Sequence, residues 1–205
     1  MNTLYWSIIG FLLGSMMFSL WLGRLVLHVD VRDFGDGNPG AGNAWRAGDA
    51  LRAGGGWRVG VPAALLDYSK GAVPVALAHY SGGVSDWGLV PVGLAPFLGH
   101  YFSPFLHFRG GKGVAVTFGL WTGLTGLGAP LALGVTCGVL WALQRADGWT
   151  MFWGMAGLLA FLLLRVPAAP LFSVWMVNAA LIVWRHRREL RDPMHLRSWH
   201  LPRTG

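Results

Sequence analysis

The sequence predicts an all-α integral membrane protein: seven transmembrane helices in one bundle, N-terminus outside and C-terminus cytoplasmic. Three observations carry this expectation. Of 205 residues, 54% are hydrophobic and only 12% charged, with a mean hydropathy of +0.47. Soluble domains carry about a quarter charged residues, so 16 basic and 9 acidic side chains fall short of covering a water-soluble surface of this size. Seven apolar stretches follow one another along the chain, and the basic residues fall almost entirely in alternate gaps between them. Other classes are excluded by composition: the single Cys137 cannot form an intrachain disulfide. The 31 glycines and 12 tryptophans suit close-packed membrane helices and interfacial anchors.

The stretches run over residues 4–23, 57–78, 87–102, 113–127, 129–143, 149–164 and 168–184. A helix needs roughly 20 apolar residues to cross a bilayer, fewer where the membrane thins. The third to fifth are short, and only Gly128 separates the fourth from the fifth, so six spans with one long bent helix is the alternative. Gly126, Gly128 and Pro130 favour a turn, because Pro130 suits the first turn of a new helix. No Lys or Arg precedes the first stretch and no small-residue cleavage site follows it, so it is expected to stay as a helix rather than be removed as a signal peptide. No internal repeat or linker is visible, and residues 1–205 are expected to form one domain.

With seven spans and an outside N-terminus, 14 of the 16 basic residues lie inside. Only Arg165 falls outside, and Lys70 lies within a span. This asymmetry satisfies the positive-inside rule. The net charge of +7 is then explained by topology and anionic lipid contact, and makes no case for nucleic acid.

Most polar residues sit in the inner segments, where two loops have the makings of a phosphate site. Residues 35–43 hold Gly35, Gly37, Gly40 and Gly42 with Asn38 and Asn43, and Arg46 follows. Such a run bends sharply and turns backbone N–H groups toward one point, while the arginine fork suits phosphate oxygens. The second loop, Gly99-His100 through Arg109-Gly110-Gly111-Lys112-Gly113, leads directly into an apolar stretch. A lysine among glycines at a helix start combines free N–H groups, the positive end of the dipole and an ammonium. It is not a Walker A loop, which needs a four-residue spacer and a following Ser or Thr. Asp67 and Lys70, at i, i+3, are expected to pair within the second span, which lowers the cost of placing both in lipid. His100 reads either as a hydrogen-bonded interfacial residue or as a base, and Cys137 as packing.

These loops, in this order, resemble the bacterial acyl-phosphate:glycerol-3-phosphate acyltransferases, the PlsY family. The likeness covers nearly the whole chain: Gly14-Ser15, the Gly/Asn loop, Leu66-Asp67-Tyr68-Ser69-Lys70-Gly71, the Gly-His…Gly-Gly-Lys-Gly loop and the final Arg185-His186-Arg187. It implies a seven-helix enzyme of the bacterial cytoplasmic (inner) membrane, with its active site at the cytoplasmic face. Its substrates would be acyl phosphate and glycerol 3-phosphate, its product lysophosphatidic acid, with lipids around it. No cofactor, metal or obligatory protein partner is implied. By matching position, Lys112 and Arg46 grip phosphate, Gly37, Asn38, Gly110 and Gly111 shape the cradle, and His186 assists from the last helix. Asp36, Asn43, His100, Ser103, Gly113, Thr150 and Glu189 are the further substrate-contacting candidates. Acyl phosphate is a mixed anhydride with a good leaving group, so the resemblance implies positioning and charge stabilisation, with substrate phosphate accepting the hydroxyl proton.

The chain departs from the family pattern at a few of these positions. Asp36 stands where the family usually has Ser, Gly42 where it has Thr, Val116 where Thr is common, and Glu189 where Asn is expected. The usual serines after the fifth helix fall at Gly148 and Met151, leaving Thr150 as the nearest hydroxyl. A carboxylate beside a phosphate dianion costs on the order of kcal/mol unless paired, and Arg32, Arg46, Arg187 and Arg188 are the expected partners. A different, neutral or cationic acceptor is one alternative function. A non-catalytic lipid-binding or transport protein is the other, though loops on one face rather than broken helices at mid-membrane argue against transport.

Overall fold

Where no water reaches the backbone, a chain has to close its own hydrogen bonds, and helices do this within one segment. The computed structural model describes residues 2–52 and 54–197, and these contain nine α-helices. They are α1 (Asn2–Ser15), α2 (Phe18–Leu22), α3 (Ala41–Ala50), α4 (Trp57–Ala76), α5 (Leu89–Tyr101), α6 (Val114–Thr125), α7 (Gly128–Leu143), α8 (Asp147–Arg165) and α9 (Ala169–Arg185). Each predicted stretch carries a helix, and the turn at Gly126–Leu127 makes the fourth and fifth separate ones. Gly126, at φ +65°, caps α6 in a conformation that L side chains rarely adopt. Among the described residues, three segments, Asn2–Leu27, Asp86–Leu106 and Asp147–Arg165, are long and apolar enough to cross a membrane. The apolar helices α6, α7 and α9 are shorter.

Two expectations need correction. The first stretch is interrupted: α1 ends at Ser15, α2 begins at Phe18, and a π-helical turn, Gly23–Leu27, follows. The carbonyl freed at Met16 accepts a hydrogen bond from Lys70 Nζ. Lys70 also pairs with Asp67 at 2.8 Å, as expected of i, i+3 neighbours, and both side chains are buried. Ser19 Oγ donates to Asp67 Oδ2 at 3.4 Å. The second correction is α3, which lies where only a loop was expected. It buries Asn43, Ala44, Ala47 and Gly48, and packs on α4. Asp49 Oδ1 accepts from the Gly56 amide at 2.5 Å and fixes the chain between the two helices.

The bundle is held by close helix pairs, α1 on α5, α4 on α6 and α7 on α8, with α9 against α5 and α8. Glycine makes the approach possible. A Cβ at Gly14 would strike the Pro96 backbone, and one at Gly119 would strike the Tyr68 carbonyl. Phe97, Tyr101, Leu120, Trp121, Leu158 and Ile182 fill the interior. A polar chain crosses it: Trp121 Nε1 donates to Asn178 Oδ1 at 3.1 Å, and Asn178 Nδ2 to Thr117 Oγ1 at 3.1 Å. Outside, Leu4, Leu25, Val135 and Leu164 are exposed, Leu164 to 80%. Large apolar side chains on so many outer faces suit lipid contact. After α9 the chain turns back over the α7–α8 junction. There the Arg145 amide donates to His195 O at 3.1 Å, and the Arg197 amide to Leu143 O at 2.8 Å. Arg203, counted with the inner basic residues, lies outside the described residues.

Candidate active site

Three segments far apart in sequence meet at one end of the bundle: the loop before α3, the glycine loop before α6 and the chain after α9. They enclose two adjoining cavities. The outer basin, about 620 Å³, is lined by Arg32, Arg109, Arg185, Arg187, Arg188 and Lys112, opposed by Asp36 and Glu189. Six cations against two anions give a field that draws in phosphate. Gly37 and Gly110 complete its wall. The inner cavity, about 210 Å³, is lined by Asn43, Arg46, Asp67, His100, Gly113, Asp147 and His186 among others. Asp36, Asn38 and Lys112 line both, and so form the partition between them.

Lys112 precedes Gly113, whose φ of +80° turns the chain into α6 and whose Cβ position is occupied by the Phe97 ring. The first turn of α6, through Val114 and Ala115, faces the inner cavity. Lys112 Nζ lies 2.7 Å from Asp36 Oδ2 and also contacts Glu189 Oε1. Burial would raise the Asp36 carboxyl, but the Lys112 ammonium, aided by the Asn38 amide and Asn43, holds it below the usual carboxylate range. Burial likewise works against the charged form of Lys112, yet the two carboxylates raise it above its ordinary value. Asn43 Nδ2 donates to Asp36 Oδ1 and to Asn38 O, both at 2.9 Å, while its Oδ1 accepts from Arg46 Nη1 at 2.8 Å. One asparagine thus shapes the loop and orients the arginine.

His186 caps the end of α9. Its Nδ1 meets the Ile182 carbonyl at 2.9 Å, and a carbonyl only accepts, so Nδ1 carries the proton. Nε2 is then left with a lone pair and no protein partner. Burial lowers its tendency to charge; Lys112 adds to this, while the Ile182 carbonyl, Glu189 and Asp147 oppose it. His100, which lines the same cavity, is buried with Nδ1 likewise unpartnered.

Several expectations change. The Gly110 and Gly111 amides are not free for phosphate: they donate to the Tyr101 and His100 carbonyls, each at 3.1 Å. These glycines are required instead for packing, since a Cβ at either would strike His100. The available N–H groups belong to the first turn of α6. Ser103 does not reach either cavity; it is buried and donates to Ser15 O at 2.7 Å. Thr150 is held by Gln144 and Ala146, away from both cavities. Arginine is not the main partner of Asp36 and Glu189. Arg32 is committed to Asp30 at 2.6 Å, and both carboxylates contact Lys112 instead. Arg109, Arg185 and Asp147, none of them among the expected site residues, join the site. Arg185 donates to Gly110 O and lies 4.9 Å over the Tyr101 ring, which fixes the glycine loop to α9.

Comparison with known proteins gives a consistent family. The family model for glycerol-3-phosphate acyltransferase matches residues 4–195. Glycerol-3-phosphate acyltransferase 1 of Thermotoga maritima is 34% identical over 197 residues, covering 89% of this chain and 93% of that protein. The Pseudomonas fluorescens glycerol-3-phosphate acyltransferase is 37% identical over 209 residues, covering 96% of this chain and all of its own. Among solved structures, PlsY, described as an integral membrane glycerol 3-phosphate acyltransferase, is similar in its glycerol 3-phosphate form. The TM-score is 0.81 at 32% identity, over 93% of this chain and 91% of that one.

Proposed function

Since the chain belongs to the glycerol-3-phosphate acyltransferase family, and is a membrane enzyme that acylates glycerol 3-phosphate to lysophosphatidic acid, we propose that its two cavities divide that reaction between them. The observation that carries this is the partition: Lys112 faces both cavities at the start of α6. The donor is an acyl phosphate. Its phosphate lies between Lys112, Arg46 and the first turn of α6, and its acyl chain follows the groove between α3 and α4. That groove is lined by Trp45, Gly60, Val61 and Ala64, and shares Ala41, Gly42 and Arg46 with the inner cavity. The arginines of the outer basin take the phosphate of glycerol 3-phosphate.

The 1-hydroxyl then attacks the acyl carbonyl carbon, the carbon–oxygen bond to phosphate breaks, and the hydroxyl proton leaves with the departing phosphate. His186, which lines the inner cavity with its Nε2 lone pair free of protein partners, accepts a hydrogen bond from the 2-hydroxyl and so orients the attack. Lys112 and the α6 dipole stabilise the charge that gathers on the leaving group. Seven spans in a bacterial cytoplasmic membrane, N-terminus outside, would put this end of the bundle at the cytoplasmic face. That topology is supported by the distribution of arginines. With α6 only 12 residues long, about 18 Å at the usual rise, the cavities would lie below the membrane surface, within reach of a lipid-borne acyl chain.

The test is acyl transfer by purified protein from palmitoyl phosphate, comparing glycerol 3-phosphate with glycerol and an amino alcohol. Glycerol 3-phosphate should be the preferred acceptor. Lys112→Ala should lose roughly 10²–10³-fold in turnover, the usual cost of removing one charge-stabilising donor. Lys112→Arg should lose activity too, because a planar fork does not replace a compact ammonium. Wild-type rates from either variant would sink the assignment, and preference for a neutral acceptor would sink the basin's role.

A further inference from the structure

The lysine at the centre of the site has two carboxylate partners, and they come from two different segments. Asp36 belongs to the loop before α3 and Glu189 to the turn after α9. Each carboxylate uses one oxygen on Lys112 and keeps the other on a fixed anchor. Asp36 Oδ1 accepts from Asn43 Nδ2 at 2.9 Å and from the Asn38 amide at 3.2 Å; Glu189 Oε2 accepts from the Gly148 amide at 2.7 Å. An ammonium has three donors and a single charge. Facing two carboxylates, it presents a net negative cluster at the point where a phosphate dianion has to dock.

We propose that Asp36 and Glu189 form a carboxylate latch on Lys112, which substrate phosphate opens by exchanging for them and which closes again to expel phosphate after transfer. The proposal rests on the assignment of Lys112 to substrate phosphate. The anchors make the exchange reversible, since a carboxylate that leaves Lys112 remains tied through its other oxygen. Released carboxylates have replacement cations at hand, because Arg187 and Arg188 line the same basin. Inorganic phosphate, the leaving group of every turnover, meets the same competition as substrate. The latch therefore weakens product inhibition at the expense of a higher KM.

Asp36→Asn with Glu189→Gln removes the charges and retains the carbonyl oxygens that accept the anchoring hydrogen bonds. In steady-state assays at saturating glycerol 3-phosphate, this double variant should show a KM for palmitoyl phosphate about tenfold lower, equivalent to about 1.4 kcal/mol. Inhibition by inorganic phosphate should become about tenfold tighter. A purely structural role for the carboxylates would lower kcat and leave phosphate inhibition unchanged or weaker, and that result overturns the latch. Glu189→Gln alone, which leaves the Asp36 loop intact, should tighten inhibition in the same direction and serves if the double variant does not fold. Lys112→Met separates the two ideas. Wild-type behaviour there refutes the phosphate assignment itself, whereas loss of activity beside unchanged phosphate inhibition in the double variant refutes the latch alone.

Discussion

At the scale of single residues, His186 is the group whose chemistry depends most directly on pH. Its Nε2 can accept a hydroxyl hydrogen bond only while the ring is neutral, and burial together with Lys112 keeps it neutral below the ordinary histidine value of 6.5. A lowered pKa moves the acid limb of kcat/KM downward, so its midpoint should lie below pH 6.5. Glu189 favours the charged ring, so Glu189→Gln should shift that limb to still lower pH. The measurement is a pH–rate profile of both proteins. A limb at or above pH 6.5 in the wild type, or an upward shift in the variant, would contradict the role given to this nitrogen.

At the scale of elements, the Asp67–Lys70 pair ties α4 to the break between α1 and α2 through the Met16 carbonyl. Removing one partner of a buried ion pair leaves the other uncompensated, at a cost of about 3–5 kcal/mol. Asp67→Asn should therefore lower the thermal unfolding midpoint in detergent markedly. A second change, Lys70→Met, should recover much of that loss. A midpoint unchanged in Asp67→Asn would show that the pair is not structural. This pair was legible in the sequence because spacing alone puts i and i+3 on one helical face. The later helix boundaries were legible too, since glycine and charge bracket each apolar run. The helix α3 was not: its sequence, Ala-Gly-Asn-Ala-Trp-Arg-Ala-Gly-Asp-Ala, holds two glycines and an asparagine, poor formers that fold here by packing on α4. Nor could sequence reveal that the Gly110 and Gly111 amides turn back onto α5, or that Ser103 points to Ser15, because both depend on which helix lies behind the loop.

At the scale of the whole molecule, charge asymmetry and exposed leucines make one prediction, on orientation. If the chain crosses the membrane seven times, 14 of its 16 basic residues fall on one side, and a C-terminal fusion should report a cytoplasmic location. An alkaline phosphatase fusion should be inactive and a green fluorescent protein fusion bright. The opposite pattern would invert the bundle and put the phosphate basin on the wrong side for a cytoplasmic substrate.

The cavities take their walls from the loop before α3, the glycine loop before α6 and the turn after α9, so the site is shared between the early, middle and late parts of the chain. A ribosome delivers those parts in that order, at about 5–20 residues per second. Lys112 is therefore made before the histidine and glutamate that face it, and the last helix has to enter the membrane before the site closes. A nascent chain carries a sticky basic loop but no finished enzyme. Catalysis begins only once the turn after α9 has been made, so a copy truncated before that turn and left in the membrane would be catalytically silent.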